Sequence, residues 1–500
     1  MTTNQLHPGF AASTTRARLL TLARTPGSLW LETAGTRRAS AQSIISTTPA
    51  LWLRGTGNFL EIVPGPEGDR GWLRRFRDAD PGPGDAFDRL QRIANRLRFS
   101  PTGTESPSGS KPPLFLGGLA GCFSYDLGRR FENLPHQLKT EVPWDFQLGL
   151  YDEVLLIGGD RAQEIRHHRL PGAPFTLLQR WQQLNTSPVQ LPDPKAGLAG
   201  TLQTELSQAE HSEAVARIKA EIRAGSVYQA NLTFRMRGRC PHPDSPLSTF
   251  ARLLRDNPAP YAAYLDLPDC TLVSSSPESF LELQRDGRVQ SQPIKGTIAR
   301  LPQQPAEDRA QREKLIKSKK DHAELAMIVD LMRNDIGRVC EPGSVDRNPQ
   351  LIAEAHPSVW HLVGTVRGQM GQGRDAFDLL RACFPPGSCI GAPKLRAMAL
   401  LEELERSRRG PYTGAIGWIG LDGTLSLSVA IRTLLFQGQQ VSFGVGGGIV
   451  YDSEADSEWH EALLKGRALV SALRSKEAAE KGWIESDRSR AGTETAEPCP

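Results

Sequence analysis

The chain lacks several features that would define its class at once. None of its apolar runs is long enough to span a membrane, and its seven cysteines include no CxxC pair. The net charge at pH 7 is only +4, with Lys and Arg scattered along 500 residues. These absences argue against a membrane partner, a nucleic-acid partner, a disulfide scaffold and a structural zinc site. No Ser-His-Asp signature, P-loop or metalloprotease helix is present.

The N-terminal segment has basic residues but no early acidic ones. Arg16, Arg18 and Arg24 precede the first acidic residue, Glu32. This pattern resembles a weak organellar transit segment, but an ordinary cytoplasmic N-terminus is the better interpretation. No apolar stretch follows the charges, so a secretory signal is not indicated. We therefore expect a cytoplasmic protein with reduced thiols.

Composition divides the chain into two large parts. A stretch rich in Pro, Gly and Ser begins at residue 185 and predicts a linker at 185–204. It separates an N-terminal region, 1–184, from a candidate catalytic region, 205–474, and a polar tail follows at 475–500. Short strands predominate before the linker, whereas helices and strands mix after it. This order favours an α+β fold over a parallel βαβ array.

Periodicity and capping residues predict the individual elements after residue 84. Ser207 and Glu210 form a capping-box pattern at the start of one helix, and Gly225 ends it. The predicted helices are 85–99, 207–224, 307–339, 376–383, 394–406 and 456–474. The predicted antiparallel strands near the C-terminus are 414–421, 424–436 and 440–451.

Several residues could carry chemistry, and each also has an ordinary structural explanation. Lys295 follows a β-prone stretch and precedes Gly296, so it is either an exposed charge or a buried nucleophilic amine. Glu278 and His361 are weak candidates alone, but together with Lys295 they would supply an acid and a polar orienting group. Arg432, in an apolar segment, requires an anionic partner, either a protein carboxylate or a substrate.

Carboxylates and glycines give two further candidates. Glu458 and Glu461 are spaced i, i+3 on the last predicted helix and could bind a hard cation such as Mg²⁺, although a solvated helix face is the commoner explanation. The glycines at 444–448 are not a dinucleotide fingerprint, because a strand continues where a helix should begin. They indicate either a close approach of a ligand or backbone, or a bulge. The 385–394 loop is either an anion site at a helix start or an ordinary loop.

Taken together, these segments form an ordered set of motifs. In sequence order they are SPESF (276–280), PIKGT (293–297), MIVDL (327–331) with RND (333–335), GAPK (391–394), IRT (431–433) and GGGI (446–449). The set resembles the chorismate-utilising enzyme family, over about 205–473. FLGG (115–118) and FSYDLGRRFE (123–132) extend the resemblance to the N-terminal half. It implies an α+β fold of two antiparallel β-sheets packed face to face, with helices outside and both halves contributing.

Two positions sort the chemistry within this family. Isochorismate-type members have a lysine at the first position, where it acts as a base for water. This chain has Gln229 there, and a glutamine at this position resembles the family members that use ammonia. The second position is Lys295. The motif PIKGT resembles that of the aminodeoxychorismate synthase branch, whereas anthranilate synthases have alanine in place of this lysine. The resemblance implies conversion of chorismate and ammonia to 4-amino-4-deoxychorismate through a lysine-bound intermediate, for 4-aminobenzoate and folate synthesis. The alternatives are anthranilate synthase component I, an isochorismate or salicylate synthase, and a non-catalytic chorismate-binding relative.

The resemblance also implies roles for individual residues. Lys295 would be the nucleophile, Glu278 the general acid, and His361 would face the ring. Glu324 and Glu461 would bind Mg²⁺, with Glu458 beside them. The residues implied in substrate binding are Arg432, Tyr412, Gly446, Gly447, Gly448, Gly391, Ala392, Lys465, Gln229 and Thr297.

Two further expectations follow from the resemblance. No cysteine lies in a Gly-x-Cys-x-Gly elbow, so ammonia would come from a separate glutamine amidotransferase subunit or from solution. Two positions depart from the family pattern. Ile390 stands where relatives have Thr or Ser, a loss that Ser388 or Cys389 could offset, and Leu325 stands where relatives often have histidine.

Overall fold

The computed structural model describes residues 14–33, 42–99, 114–158 (without 133, 135–137, 139 and 141), 164–346, 351–356 and 359–474. The predicted tail at 475–500 lies outside these ranges. The helices are α1 (Thr14–Leu22), α2 (Trp72–Ala79), α3 (Ala86–Arg96), α4 (Leu127–Phe131), α5 (Thr176–Gln183), α6 (Gln208–Arg223), α7 (Ser245–Asp256), α8 (Pro305–Ile316), α9 (Lys319–Gly337), α10 (Ala376–Cys383), α11 (Lys394–Leu404) and α12 (Ala455–Leu473).

The strands form three antiparallel sheets. They are β1 (Leu29–Glu32), β2 (Gln42–Ser46), β3 (Leu51–Thr56), β4 (Phe59–Pro64), β5 (Gly118–Phe123), β6 (Phe146–Tyr151), β7 (Glu153–Gly158), β8 (Glu164–Arg169), β9 (Ala199–Thr204), β10 (Gln229–Arg239), β11 (Tyr261–Leu267), β12 (Cys270–Ser276), β13 (Ser279–Leu283), β14 (Arg288–Gln292), β15 (Ile294–Ala299), β16 (Leu351–Ala355), β17 (Val359–Gly364), β18 (Val366–Gln369), β19 (Gly391–Ala392), β20 (Ala415–Gly420), β21 (Leu425–Val429), β22 (Thr433–Gln437) and β23 (Gln440–Ile449).

Both large sheets combine strands from the two halves of the chain. Sheet 1 has the order β19-β10-β23-β22-β12-β11-β1-β2-β7-β8, with β9 paired to β10. Sheet 2 has the order β18-β14-β13-β21-β20-β5-β6-β3-β4. A small third sheet has the order β15-β17-β16. The N-terminal strands are therefore integral to both large sheets.

The two large sheets pack face to face. One buried cluster joins their facing sides and includes Leu265 of sheet 1 and Trp418 of sheet 2. Helices cover the outer faces: α7 and α12 pack on sheet 1 through Phe250 and Leu469, and α3 and α10 belong to the core on the far side of sheet 2. The predicted α+β architecture is confirmed. Within the described ranges, no helix has the length and apolar character needed to cross a bilayer.

Capping residues account for several predicted helix boundaries. Ser207 and Glu210 form the expected capping box at the start of α6. Asp85 caps α3 by accepting hydrogen bonds from two backbone amides, those of Phe87 and Asp88. These interactions satisfy N–H groups that would otherwise lack partners at a helix start.

The prediction of one long helix at 307–339 is wrong. The structure has two helices, α8 and α9, separated at Lys317 and Ser318. Ser318 has an extended backbone conformation, and its hydroxyl accepts a hydrogen bond from the amide of Asp321. A serine cap starts a new helix there, so α9, which carries Glu324, has its own axis.

The prediction of one strand at 424–436 is also wrong. The chain leaves sheet 2 after β21 and enters sheet 1 at β22. Between these strands Arg432 has φ +49°, a left-handed conformation that does not continue a β-strand. Arg432 therefore lies at the crossover between the sheets rather than within a strand.

Candidate functional site

The glycines of β23 lie where other groups approach the backbone closely. A Cβ at Gly448 would lie 2.3 Å from Gln229 Nε2 and 3.4 Å from Lys295 Nζ, so an amide and an amine converge on this glycine. β10 and β23 pair continuously from Ala230–Ile449 to Arg239–Gln440. The glycines therefore mark a close approach rather than a bulge.

Gln229 is a fully buried amide that faces the site. It is 0% exposed, and among the described residues neither Nε2 nor Oε1 has a hydrogen-bond partner. An unsatisfied buried amide costs about 1–3 kcal/mol, unless a ligand or water completes it. Its backbone pairs with Ala392, and a Cβ at Gly391 would lie 2.1 Å from the Gln229 carbonyl oxygen. Gly391 and Ala392 thus position Gln229 through the backbone.

Lys295 lies on β15 at an irregularity in the small sheet. The register between β15 and β17 shifts between Lys295 and Thr297, and Gly296 between them has φ +72°. A side chain at Gly296 would clash with Asp321 and Leu315 at 2.8 and 2.9 Å. This local geometry turns the Lys295 side chain toward α9, where Nζ lies 3.6 Å from Glu324 Oε2.

Glu278 is a buried carboxyl between β12 and β13. It is 5% exposed, and burial raises its pKa to about 7, against the opposing influences of the Ser388 hydroxyl, Lys295 and Arg432. A carboxyl with this pKa is substantially protonated near neutral pH and can donate a proton there. The structure therefore gives Glu278 the property that a general acid requires.

His361 lies on β17, opposite Thr297. Its Nδ1 is 2.8 Å from Thr297 Oγ1, and its ring centroid is 4.9 Å from that of His356. Burial, His356 and Arg432 lower the pKa of His361 to about 3. The ring is therefore neutral near pH 7 and can act as a hydrogen-bonding group but not as a cation.

Arg432 lies at the crossover between β21 and β22, and Tyr412 lies in the turn that precedes β20. Burial lowers the pKa of Arg432, and the nearby Glu278 carboxylate opposes this effect. The Tyr412 ring packs on Gly444, where a Cβ would lie 2.1 Å from ring atom Cδ1. Left-handed conformations at Arg432 and at Thr413 (φ +60°) place both segments near the site. Such conformations in non-glycine residues often occur at functional sites.

A cluster of lysines and carboxylates lies beside Lys295. Glu324 contacts Lys295 and, at 3.9 Å, Lys320. Glu461 lies 2.9 Å from Lys465. Burial raises the pKa of Glu461, but Lys465, Lys320 and Lys295 outweigh this effect and the net shift is downward. The two candidate metal ligands on α9 and α12 therefore face the same group of lysine side chains.

Glu458 occupies a different position on α12. Its Oε1 accepts a hydrogen bond of 2.6 Å from Ser453 Oγ, and Oε2 lies 3.2 Å from the Cβ position of Gly447. Lys465 donates to the Gly446 carbonyl at 3.1 Å, which ties α12 to the glycine strand. Glu458 thus adjoins the glycines, whereas Glu461 adjoins the lysines.

The donor set fits Mg²⁺ if a bound substrate and water complete the coordination. Mg²⁺ usually binds through one or two carboxylates together with waters and substrate oxygens. Glu324 and Glu461 are two carboxylates whose charge is now balanced by lysines. Among the residues that the structure describes, no group of three or more His, Cys, Asp or Glu side chains is arranged to hold a metal. A site made by protein side chains alone is therefore not indicated.

The two departures from the expected motifs do not place new polar groups in the site. Ile390 is 0% exposed and packs in the core with Leu232 and Ala397, and Leu325 is likewise 0% exposed. Ser388, in a 3₁₀ turn at Gly387–Cys389, hydrogen-bonds the Glu278 carboxyl. Ser388 therefore supplies the hydroxyl next to Glu278, two residues before Ile390.

Sequence reasoning missed some residues of this region. His356 lies against His361. Arg409 and Glu405 form a buried ion pair, with 2.7 Å between Arg409 Nη2 and Glu405 Oε1. Arg409 lies in the basic segment ERSRRG, which looks like a surface run in the sequence. No local pattern distinguishes a buried arginine in such a run.

Comparison with known proteins adds an independent result. A family model described as a chorismate binding enzyme matches residues 74–471. Aminodeoxychorismate synthase component 1 of Salmonella typhimurium is 39% identical over 392 residues, which cover 78% of this chain and 82% of that protein. Anthranilate synthase component 1 of Thermus thermophilus is 37% identical over 372 residues, covering 73% and 79%.

A solved structure supports the same relationship. Anthranilate synthase component I from Streptococcus pneumoniae TIGR4 superposes with a TM-score of 0.70 at 26% identity, covering 87% of this chain and 92% of that one. The similarity spans both halves of the chain, as the mixed sheets require.

Proposed function

Because the chain belongs to the family of chorismate binding enzymes, we propose that it acts as an aminodeoxychorismate synthase component I, converting chorismate and ammonia to 4-amino-4-deoxychorismate and water. The observation that carries the proposal is the convergence of Lys295 Nζ and the Gln229 amide on Gly448, beside the protonatable Glu278. The relatives named above differ little in identity, so the choice rests on Lys295.

The proposed reaction has two displacements. The neutral Lys295 amine forms a C–N bond at ring carbon C2, the two conjugated ring double bonds shift toward C4, and the C4–O bond breaks. Glu278 donates the proton with which the hydroxyl leaves as water. Ammonia then bonds to C4, both double bonds shift back, and the C2–N bond breaks to release Lys295 as the neutral amine. The new ammonium at C4 returns a proton to the Glu278 carboxylate. One difficult substitution is thereby divided into two easier ones.

The remaining site residues are proposed to bind and orient the substrate. Arg432 and Tyr412 would hold the enolpyruvyl carboxylate, aided by the backbone at 446–448. His361, kept neutral by burial, would pack beside the ring with its Nδ1 fixed by Thr297. Gln229, whose two amide atoms have no hydrogen-bond partner among the described residues, would contact the group that enters or leaves the ring.

Magnesium is proposed as the cofactor. The resemblance to the chorismate-utilising family implies a requirement for Mg²⁺. Here Glu324 and Glu461 would hold the ion, while Lys465 links α12 to the glycine strand and Ser453 holds the Glu458 carboxylate. Bound Mg²⁺ would supply positive charge for the ring carboxylate.

Ammonia is proposed to come from a glutamine amidotransferase subunit. A glutaminase needs a reactive thiolate. The six cysteines in the described ranges are all buried, and burial raises the pKa of each thiol, to about 11 for Cys340 and about 12 for Cys389. None of these six suits that role. If a cognate amidotransferase, mixed with this chain, did not support turnover with glutamine, the proposed partnership would be wrong.

Product analysis tests the proposed function. The protein is incubated with chorismate, Mg²⁺ and ammonium, and the products are separated with and without an added aminodeoxychorismate lyase. We expect a product that yields 4-aminobenzoate only when the lyase is present. Anthranilate with release of pyruvate, formed without the lyase, would instead assign the chain to anthranilate synthesis.

A further inference from the structure

Arg409 is a buried arginine whose N–H groups are all used. It is 4% exposed. Nε and Nη2 donate to the Glu405 carboxylate at 3.0 and 2.7 Å. The other Nη2 hydrogen goes to the Asn231 carbonyl at 2.7 Å. Nη1 donates to the Cys389 carbonyl at 2.7 Å and to Thr413 Oγ1 at 3.3 Å. One side chain therefore joins three separate chain segments.

Each of these segments carries a candidate site residue. Asn231 lies two residues after Gln229 on β10. Ser388, whose hydroxyl bonds the candidate acid, precedes the Cys389 carbonyl. Thr413 directly follows Tyr412, and its hydroxyl also donates to the Tyr412 carbonyl at 2.6 Å. The guanidinium thus fixes the spacing between three parts of the site without reaching the site itself.

Glu405 completes this arrangement from the end of α11. It accepts hydrogen bonds from the amide of Thr233 at 3.1 Å and from its hydroxyl at 2.8 Å, again on β10. Burial lowers the pKa of Arg409, but Glu405 outweighs this effect and the net shift is upward, so the guanidinium stays charged. Its Cζ lies 4.6 Å from the centroid of the Tyr125 ring, which closes off the other side.

We propose that Arg409, oriented by Glu405, is a positioning residue that sets the relative placement of Gln229, Ser388 and Tyr412. This inference rests on the proposed function only in assuming that chorismate binds at this site. An active-site group displaced by about 1 Å can cost about 10²-fold in rate. The pair therefore acts on catalysis through three neighbours rather than through substrate contact.

The test uses Arg409→Lys, because lysine keeps the charge but has three donors and no planar fork. The matched control is Arg252→Lys. Arg252 is also buried, at 6% exposure, and donates to backbone carbonyls, including those of Pro194 at 3.3 Å and Ala196 at 2.8 Å. Both variants lose a buried arginine that joins chain segments, but only Arg409 adjoins the site.

We expect similar losses in melting temperature for the two variants. For Arg409→Lys, kcat/KM with chorismate and ammonium should fall about 10²-fold, and the Kd of chorismate should rise. Arg252→Lys should keep wild-type kinetics. Glu405→Gln, which keeps the oxygen acceptor and the shape, should lose less activity than Arg409→Lys, and it serves as the reporter if Arg409→Lys does not fold.

Equal kinetics in Arg409→Lys and Arg252→Lys, or in Glu405→Gln and the wild type, would overturn the positioning role. The proposed function fails by a different result, namely that the wild type makes another product. The kinetic comparison is then made on that product. If the wild type makes no product, the Kd of chorismate decides, and equal values in both lysine variants would overturn the inference.

Discussion

At the scale of single residues, burial shifts the pKa values of two site groups in opposite directions and favours the neutral form of both. It raises the pKa of Glu278 to about 7 and lowers that of His361 to about 3. Near neutral pH a large fraction of Glu278 therefore retains its proton, and the His361 imidazole is uncharged. The substrate would meet a proton donor and an uncharged ring, with positive charge supplied by Arg432.

This pKa predicts the pH dependence of the reaction. Because the general acid must be protonated, kcat/KM should fall as pH rises through about 7, where Glu278 loses its proton. The rates must be compared at a fixed concentration of free ammonia, which itself rises with pH. Glu278→Gln should remove most activity and abolish this dependence. A wild-type profile that stays flat through pH 7 would contradict the role of Glu278 as acid.

Gly448 provides a second test at this scale. A methyl group there would displace the Gln229 amide, because the Cβ would lie 2.3 Å from Nε2. The displaced atom is the end of a side chain, so the fold should tolerate the change. We expect Gly448→Ala to lower kcat/KM about 10²-fold with little change in melting temperature.

The matched control is Gly337→Ala at the end of α9. No atom lies within 4 Å of its Cβ position, and its φ is not positive. Alanine there should leave activity unchanged and stabilise the helix by about 0.5–1 kcal/mol. Equal activity in the two alanine variants would show that Gln229 is not confined as described.

At the scale of elements, local signals predicted what depends on local chemistry. The capping box of α6 and the strand character of 440–451 were visible because caps and alternation are short-range patterns. The crossover at Arg432 was not, because its left-handed conformation is imposed by two different sheets. The break at Ser318 had a local signal, a serine, but it stands among lysines with no glycine or proline beside it.

The site itself was predictable only through ordered motifs. Lys295, Glu278 and Glu324 lie on three different elements, and no spacing in the sequence brings them together. Their proximity arises from the pairing of the small sheet and the packing of α9 on it. Arg409 was invisible for a similar reason, since its partners are backbone carbonyls from three distant segments.

Helices α9 and α12 carry the predicted magnesium ligands, and chelation tests them. Treatment with EDTA should abolish turnover, and added Mg²⁺ should restore it. Glu324→Gln and Glu461→Gln should each raise the Mg²⁺ concentration needed for half-maximal activity at least 10-fold, an effect of about 1.4 kcal/mol. Glu307→Gln, on the exposed face of α8, is the control. If Glu324→Gln and Glu461→Gln both kept the wild-type Mg²⁺ dependence, neither carboxylate would be a magnesium ligand.

At the scale of the whole molecule, the two sheets make the halves interdependent. β5 and β6 separate β20 from β3 in sheet 2, and β1 and β2 separate β11 from β7 in sheet 1. The predicted boundary at 185–204 is therefore a change in composition along the sequence, and both sheets contain strands from either side of it. The catalytic region alone would expose the apolar faces that the first 184 residues cover.

This organisation predicts the behaviour of a fragment. Residues 205–474 expressed alone should aggregate or remain unfolded, and co-expression with residues 1–204 should recover soluble protein. The full chain should unfold in one transition, with coincident changes in circular dichroism and tryptophan fluorescence. A monodisperse, folded 205–474 fragment would show that the halves are independent.

The central claim is that the Lys295 amine attacks the chorismate ring. The most direct measurement is mass spectrometry of protein incubated with chorismate and Mg²⁺ without ammonia, followed by peptide mapping. We expect an adduct with the mass of chorismate less water on the peptide that contains Lys295. Lys295→Ala should show neither the adduct nor turnover, whereas Lys317→Ala, at an exposed surface lysine, should show both. Unchanged turnover in Lys295→Ala would contradict the account.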